Sequence, residues 1–79
     1  MQMETTKFIE NLKKQYVDAG DTELTLNSEF RQIGSYDSLT GMTILVMIKD
    51  EYNVDISDNE YRAQKTIKEL YDLILSKLP

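Results

Sequence analysis

Cysteine and histidine are both absent from this chain of 79 residues. The first absence excludes disulfides, thiolate metal sites and a catalytic thiol. The second removes the usual general base and the commonest neutral metal ligand, so no Ser-His-Asp nucleophile can be built. Pro79 is the only proline, and the three glycines are Gly20, Gly34 and Gly41. The first twenty residues hold no apolar run long enough for a signal peptide or a membrane span, so the expected location is the cytoplasm. Internal repeats and low-complexity segments are also missing. No phosphate loop, metal cluster or general base is visible, and the chain reads as a non-enzyme.

What is present is acidic and helical. The net charge is −5, and it is uneven: residues 37–60 hold six acids against one base, Lys49. Such a field repels nucleic acid and steers basic partners, or simply keeps a solvated acidic face. A chain of this length is expected to form one domain, 1–79, with a compact core.

Apolar spacing predicts helix one from about Thr6 to Asp18, through Phe8, Ile9, Leu12 and Tyr16, with Thr5 or Thr6 as its cap and Gly20 past its end. Residues 20–37 form a long connection pinned by Leu24, Leu26, Phe30 and Ile33, with Ser28 capping a short turn through Arg31. Helix two is expected from Ser38 to Tyr52. At ~100° per residue, Ile44, Leu45, Ile48 and Tyr52 share one side. Leu39, Met42 and Val46 share another, beside Thr43 and Asp50. So small a domain can hardly bury both sides, so one face enters the core and the other awaits a partner. A fully buried central helix is the competing reading.

Asn53–Asp58 reads as an extended loop with Val54 and Ile56 inward. It lacks the ligand order and the glycine of a calcium loop, so no metal site is expected. Ser57 or Asp58 opens a short third helix to about Ala63. Thr66-Ile67-Lys68-Glu69 is a capping box, and Ile67, Leu70, Tyr71, Ile74 and Leu78 give the last helix its apolar face. The fold class is therefore all-α: a small four-helix bundle of three longer helices, one short third helix and a long first loop.

Ser38 stands where the long connection meets helix two. Its hydroxyl can cap the free N–H groups of the first turn. The same corner also suits a covalently attached phosphate, because free N–H groups and the helix dipole favour an anion.

Three features resemble the acyl carrier proteins. Asp37-Ser38-Leu39 matches the family's Asp-Ser-Leu motif, and it opens helix two after a long loop. The run Glu51-Tyr52-Asn53-Val54-Asp55-Ile56-Ser57-Asp58 matches the acidic–aromatic–x–aliphatic–x–Ile–x–acidic run that closes that helix. The likeness covers about residues 6–78. It implies that Ser38, flanked by Asp37 and Leu39, carries a 4′-phosphopantetheine arm, attached by a phosphopantetheinyl transferase. The arm would hold acyl groups as thioesters for fatty-acid, polyketide or related enzymes. It further implies a monomer that meets synthase or ligase enzymes through their basic patches, with neither nucleic acid nor membrane as partner. The partner face would comprise Leu39, Thr40, Met42, Thr43, Val46, Asp50 and Glu51. Ile44, Leu45, Ile48, Val54, Ile56 and Ala63 would line an acyl pocket, with Gln64 pointing outward where an aliphatic residue is common.

The sequence departs from the family in several places. Thr40 and Thr43 stand where fatty-acid carriers usually have acids. Ile33-Gly34-Ser35-Tyr36 makes the approach to Asp37 one residue longer, with an aromatic before it. This resembles a divergent group of stand-alone carriers, and both changes point to dedicated partners rather than housekeeping fatty-acid enzymes. A peptidyl or aminoacyl carrier is the alternative within the family, although its Gly-Gly-x-Ser pattern is absent. Outside the family, an unmodified helical adaptor is the competing function.

Overall fold

The computed structural model describes residues 4–17, 22–34 and 36–78. Within them lie α1 (Thr5–Lys13), α2 (Ser38–Tyr52), α3 (Asp58–Arg62) and α4 (Ile67–Lys77), with a 3-10 turn at Phe30–Gln32. No strand occurs among the described residues, and one isolated antiparallel bridge joins Glu29 to Thr66. The all-α bundle with a short third helix and a long first loop is the architecture expected from the periodicities.

Helix α1 is shorter than its apolar stripe suggests. Gln15 N–H donates to the Leu12 carbonyl and Tyr16 N–H to that of Lys13, an i to i+3 tightening that ends the helix. Tyr16 thereby leaves the helical path. Its ring is buried, and its hydroxyl donates to the Phe30 carbonyl at 2.5 Å. Burial pushes that phenol well above its ordinary range, so it remains a donor. The expected threonine cap is also corrected. The N-cap is Glu4, with no side-chain bond, because the helix begins one residue earlier, at Thr5. Asp18 and Gly20 lie outside the described residues.

The first connection is pinned as its apolar residues predict, with Phe30 fully buried, Leu24 and Ile33 nearly so, and Leu26 half-buried. Its backbone is also stitched to the start of α4, where Ile67 N–H donates to the Ser28 carbonyl and Lys68 N–H to that of Leu26, both at 2.9 Å. Ser28 does not cap the 3-10 turn, because its hydroxyl accepts instead from Thr25 N–H at 3.0 Å. Glu29 is the N-cap there, without a side-chain bond.

The core is built from Phe8 and Leu12 of α1, Ile44, Met47 and Ile48 of α2, Tyr61 of α3, and Ile67, Leu70 and Ile74 of α4. Asn11, a polar residue on the inner side of α1, is buried as well, and its amide donates to the Tyr52 hydroxyl across to α2 at 3.1 Å. Helix α2 ends at Asn53, which takes the left-handed conformation at φ 55° that asparagine tolerates better than most residues. Val54 is buried and Ile56 half-buried, as expected of an extended segment.

Both C-terminal helices start in capping boxes, of which the sequence reading identified only the Thr66–Glu69 pair on α4. On α3, the Ser57 hydroxyl accepts from Glu60 N–H and the Glu60 carboxylate accepts from Ser57 N–H. That bond, followed by Lys77 at 2.9 Å, lowers the Glu60 carboxyl from 4.5 to about 2. A depressed carboxylate contributes stability that is present above its unfolded value and lost as the pH falls through its folded value. Glu60→Gln keeps a side chain able to accept the cap bond but removes the charge. The variant is expected to unfold at lower urea than the parent at pH 7, and the gap should close between about pH 4.5 and 2. A gap independent of pH would show that the charge is irrelevant.

Candidate functional site

The corner before α2 is organised by Asp37, not by Ser38. Asp37 is the N-cap, in extended backbone, and its Oδ1 accepts from Thr40 N–H at 2.9 Å and from the Thr40 hydroxyl at 3.1 Å. The backbone N–H of Thr40, then its hydroxyl, hold the Asp37 carboxyl below the usual carboxylate range. Ser38 is therefore relieved of the capping role. It is the first residue of α2, it is exposed, and no bond among the described residues holds its hydroxyl. The other described serines are all engaged: Ser28 with Thr25, Ser57 in the α3 cap, and Ser76 donating to the Leu73 carbonyl. Ser35 lies outside the described residues.

The two sides of α2 separate as the wheel predicts. Leu39, Met42 and Val46 are 65%, 63% and 58% exposed, whereas Ile44 and Ile48 are wholly buried. The exposed side forms a shallow apolar groove against Asn11, Lys14 and Gln15, with Asp50 and Glu51 on its rim. One member of the expected partner face is corrected. Thr40 is buried, because its hydroxyl turns back to Asp37 and its place on α2 faces the bundle. Thr43 is half-buried and donates to the Thr40 carbonyl at 2.8 Å.

Of the expected pocket residues, Ile44, Ile48 and Val54 lie in the packed core, while Leu45 and Ile56 are half-buried. Ala63 is exposed, since it is the C-cap of α3 and the chain turns outward there. Gln64 is half-buried rather than outward, its amide donating back to the Glu60 carbonyl at 3.1 Å.

Tyr36, Tyr61, Arg31 and Arg62, none of them an expected site residue, lie beside Ser38. A groove between α2 and α3 is lined by Ser38, Asp37, Tyr36, Tyr61, Arg31 and Arg62, among others. The Tyr36 and Tyr61 hydroxyls share a hydrogen bond of 2.8 Å. Both lie over Gly41, where an added Cβ would come within 2.6 Å of the Tyr36 hydroxyl, so the bare glycine is what lets the tyrosine sit there. Arg31 reaches from the 3-10 turn to the end of α3 and donates to the carbonyls of Tyr61, Arg62 and Gln64. Its guanidinium also lies 4.9 Å from the Phe30 ring centre and 5.6 Å from that of Tyr61. The aromatic before Asp37 was the one signal in the sequence for this arrangement.

This corner fits a phosphate-linked group. The hydroxyl is free and exposed at the positive end of a 15-residue helix, beside a groove whose Arg31 and Arg62 are balanced by Asp37 and Asp58. Among the described residues no cluster of acids could hold a metal ion, and no helix is long and apolar enough to cross a membrane.

Comparison with known proteins agrees with the geometry. The family described as "Phosphopantetheine attachment site" matches residues 7–74. Acyl carrier protein 4, chloroplastic, of Arabidopsis thaliana is 32% identical over 63 residues, which cover 80% of this chain and 45% of that relative. The chain thus spans under half of that relative's length. No solved structure matches significantly. With the match running from α1 into α4, the chain belongs to the family of phosphopantetheine attachment domains, and its cofactor is 4′-phosphopantetheine.

Proposed function

We propose that Ser38 is the attachment residue and that the chain presents acyl groups to fatty-acid, polyketide or related biosynthetic enzymes. The observation that carries this is the division of labour at the corner. Asp37 caps the helix, leaving Ser38 as a described serine whose hydroxyl is both exposed and unengaged. The bound arm supplies the thiol that a chain without cysteine lacks. The chain's own part is to hold the attachment point at the helix dipole and to offer a recognition face. It performs no catalysis in this reading, and it acts as a cytoplasmic monomer. Co-expression with a broad-specificity phosphopantetheinyl transferase, followed by intact-mass measurement, tests the assignment directly. An adaptor that is never modified would gain no mass.

Recognition is assigned to Leu39, Met42 and Val46 as the dry centre, with Asp37, Asp50 and Glu51 as the charged rim. Exposed charges steer encounter and are screened by salt, whereas apolar centres set dissociation. Met42→Glu is expected to slow modification by the transferase at least tenfold, the equivalent of ~1.4 kcal/mol. Raising the ionic strength should slow the parent as well. A rate indifferent to both changes would remove this face from the proposal. Thr40 is buried and Thr43 half-buried, so neither supplies the charge that carriers with two acids have here, and dedicated partner enzymes are the reading that the reduced acidity supports.

A further inference from the structure

The groove beside Ser38 is the route along which a group attached there would approach the bundle, and its inner wall is closed. Tyr36, Gly41 and Tyr61 all line it, and the shared hydroxyl bond of the tyrosines crosses over Gly41. Behind this wall the space is occupied. The Tyr61 ring packs on Phe30 with centroids 5.3 Å apart, the Tyr36 ring lies 6.3 Å from that of Tyr16, and Phe30 and Ile44 are wholly buried. Arg31 stacks on Tyr61 and binds the carbonyl groups at the end of α3, so this helix is held where it is. An alkyl chain passing inward would have to separate the two phenols. That would break their shared hydrogen bond and disturb a tyrosine whose ring is buried against Phe30. The outer groove offers a different setting: charged side chains of Arg31, Asp58 and Arg62, and apolar contact from Met42 and Leu45. Leu45 also borders a second groove formed with Val54 and Ile56, so a longer chain has a path along the surface.

We infer that the Tyr36–Tyr61 pair, seated on Gly41, closes the bundle to alkyl chains, so that acyl cargo lies in the outer groove and short acyl groups are preferred. This rests on Ser38 being the attachment residue. The pair selects cargo by excluding it from the core, and neither tyrosine acts on the thioester.

The test uses the whole chain loaded enzymatically from butanoyl and decanoyl coenzyme A analogues and followed by methyl resonances and thermal midpoint. In the parent, decanoyl and butanoyl forms should give the same Ile44 and Ile48 methyl shifts and the same midpoint. Length-dependent shifts should be confined to Met42, Leu45 and Ile56. In Tyr36→Leu, which removes the hydroxyl bond and shortens the wall, the decanoyl form should shift Ile44 and Ile48 and raise the midpoint. If that variant does not fold, Tyr36→Met, which also removes both the ring and the hydroxyl bond, takes its place with the same expectation. Decanoyl-specific shifts at Ile44 and Ile48 in the parent would overturn the inference. So would folded Tyr36 variants that stay closed. Failure of the parent to gain any mass at Ser38 would instead overturn the carrier assignment on which the inference stands.

Discussion

Ser38→Ala is expected to abolish the gain of pantetheine mass completely while leaving the protein almost as stable as the parent. The second half of this expectation comes from the geometry. Were Ser38 the helix cap, its loss would cost ~1 kcal/mol or more. The cap is Asp37, and Ser38 is an exposed first-turn residue, so the cost should stay within about 0.5 kcal/mol. For a domain of this size that is about 2–4 °C in the midpoint. Asp37→Ala gives the complementary pattern. It keeps the hydroxyl but loses the acceptor for Thr40 N–H, so its midpoint should fall and its modification slow without being abolished. Intact mass and thermal unfolding of the parent and both variants decide the matter. A parent that gains no mass, or an alanine variant that still does, would sink the assignment. A large loss of stability in Ser38→Ala would show instead that the serine supports the helix start.

Arg31→Ala should be among the most destabilising substitutions outside the apolar core. The side chain donates to carbonyls of Tyr61, Arg62 and Gln64, and it covers the Phe30 and Tyr61 rings. A five-residue helix has too few internal hydrogen bonds to hold itself, so its exposed carbonyl end depends on such an outside donor. A hydrogen bond from a charged group contributes ~1.5–3 kcal/mol net, and solvent at this half-buried position reduces each. A total of about 2–4 kcal/mol is expected, or about 8–32 °C in the midpoint. Lysine cannot fork across several carbonyls, so Arg31→Lys should recover only part of the loss. Amide hydrogen exchange locates the effect: α3 and Gln64 should lose protection before α1 and α4. Unchanged exchange in α3 would show that the arginine is dispensable there.

The sequence by itself determined whatever rests on near neighbours. The bounds of α2 and the start of α4 follow from a residue and its partners three or four places on, and so does the opening of α3 at Ser57 or Asp58. The two-sided character of α2 was equally legible, because helical spacing alone separates Leu39, Met42 and Val46 from Ile44 and Ile48. The carrier motif around Ser38 was also local. Only the tertiary structure decided matters that depend on how elements dock. It turned Thr40 inward, left Ala63 outside, and ended α1 early so that Tyr16 could reach the Phe30 carbonyl, whereas the Asp37 cap that frees Ser38 is a local bond three residues long. It also joined Tyr36 to Tyr61 over Gly41 and sent Arg31 to the far end of α3. These contacts link residues 25 and 33 positions apart. Periodicity reports which side of one helix is apolar. It does not report which other element that side meets, because that depends on the packing of the whole core.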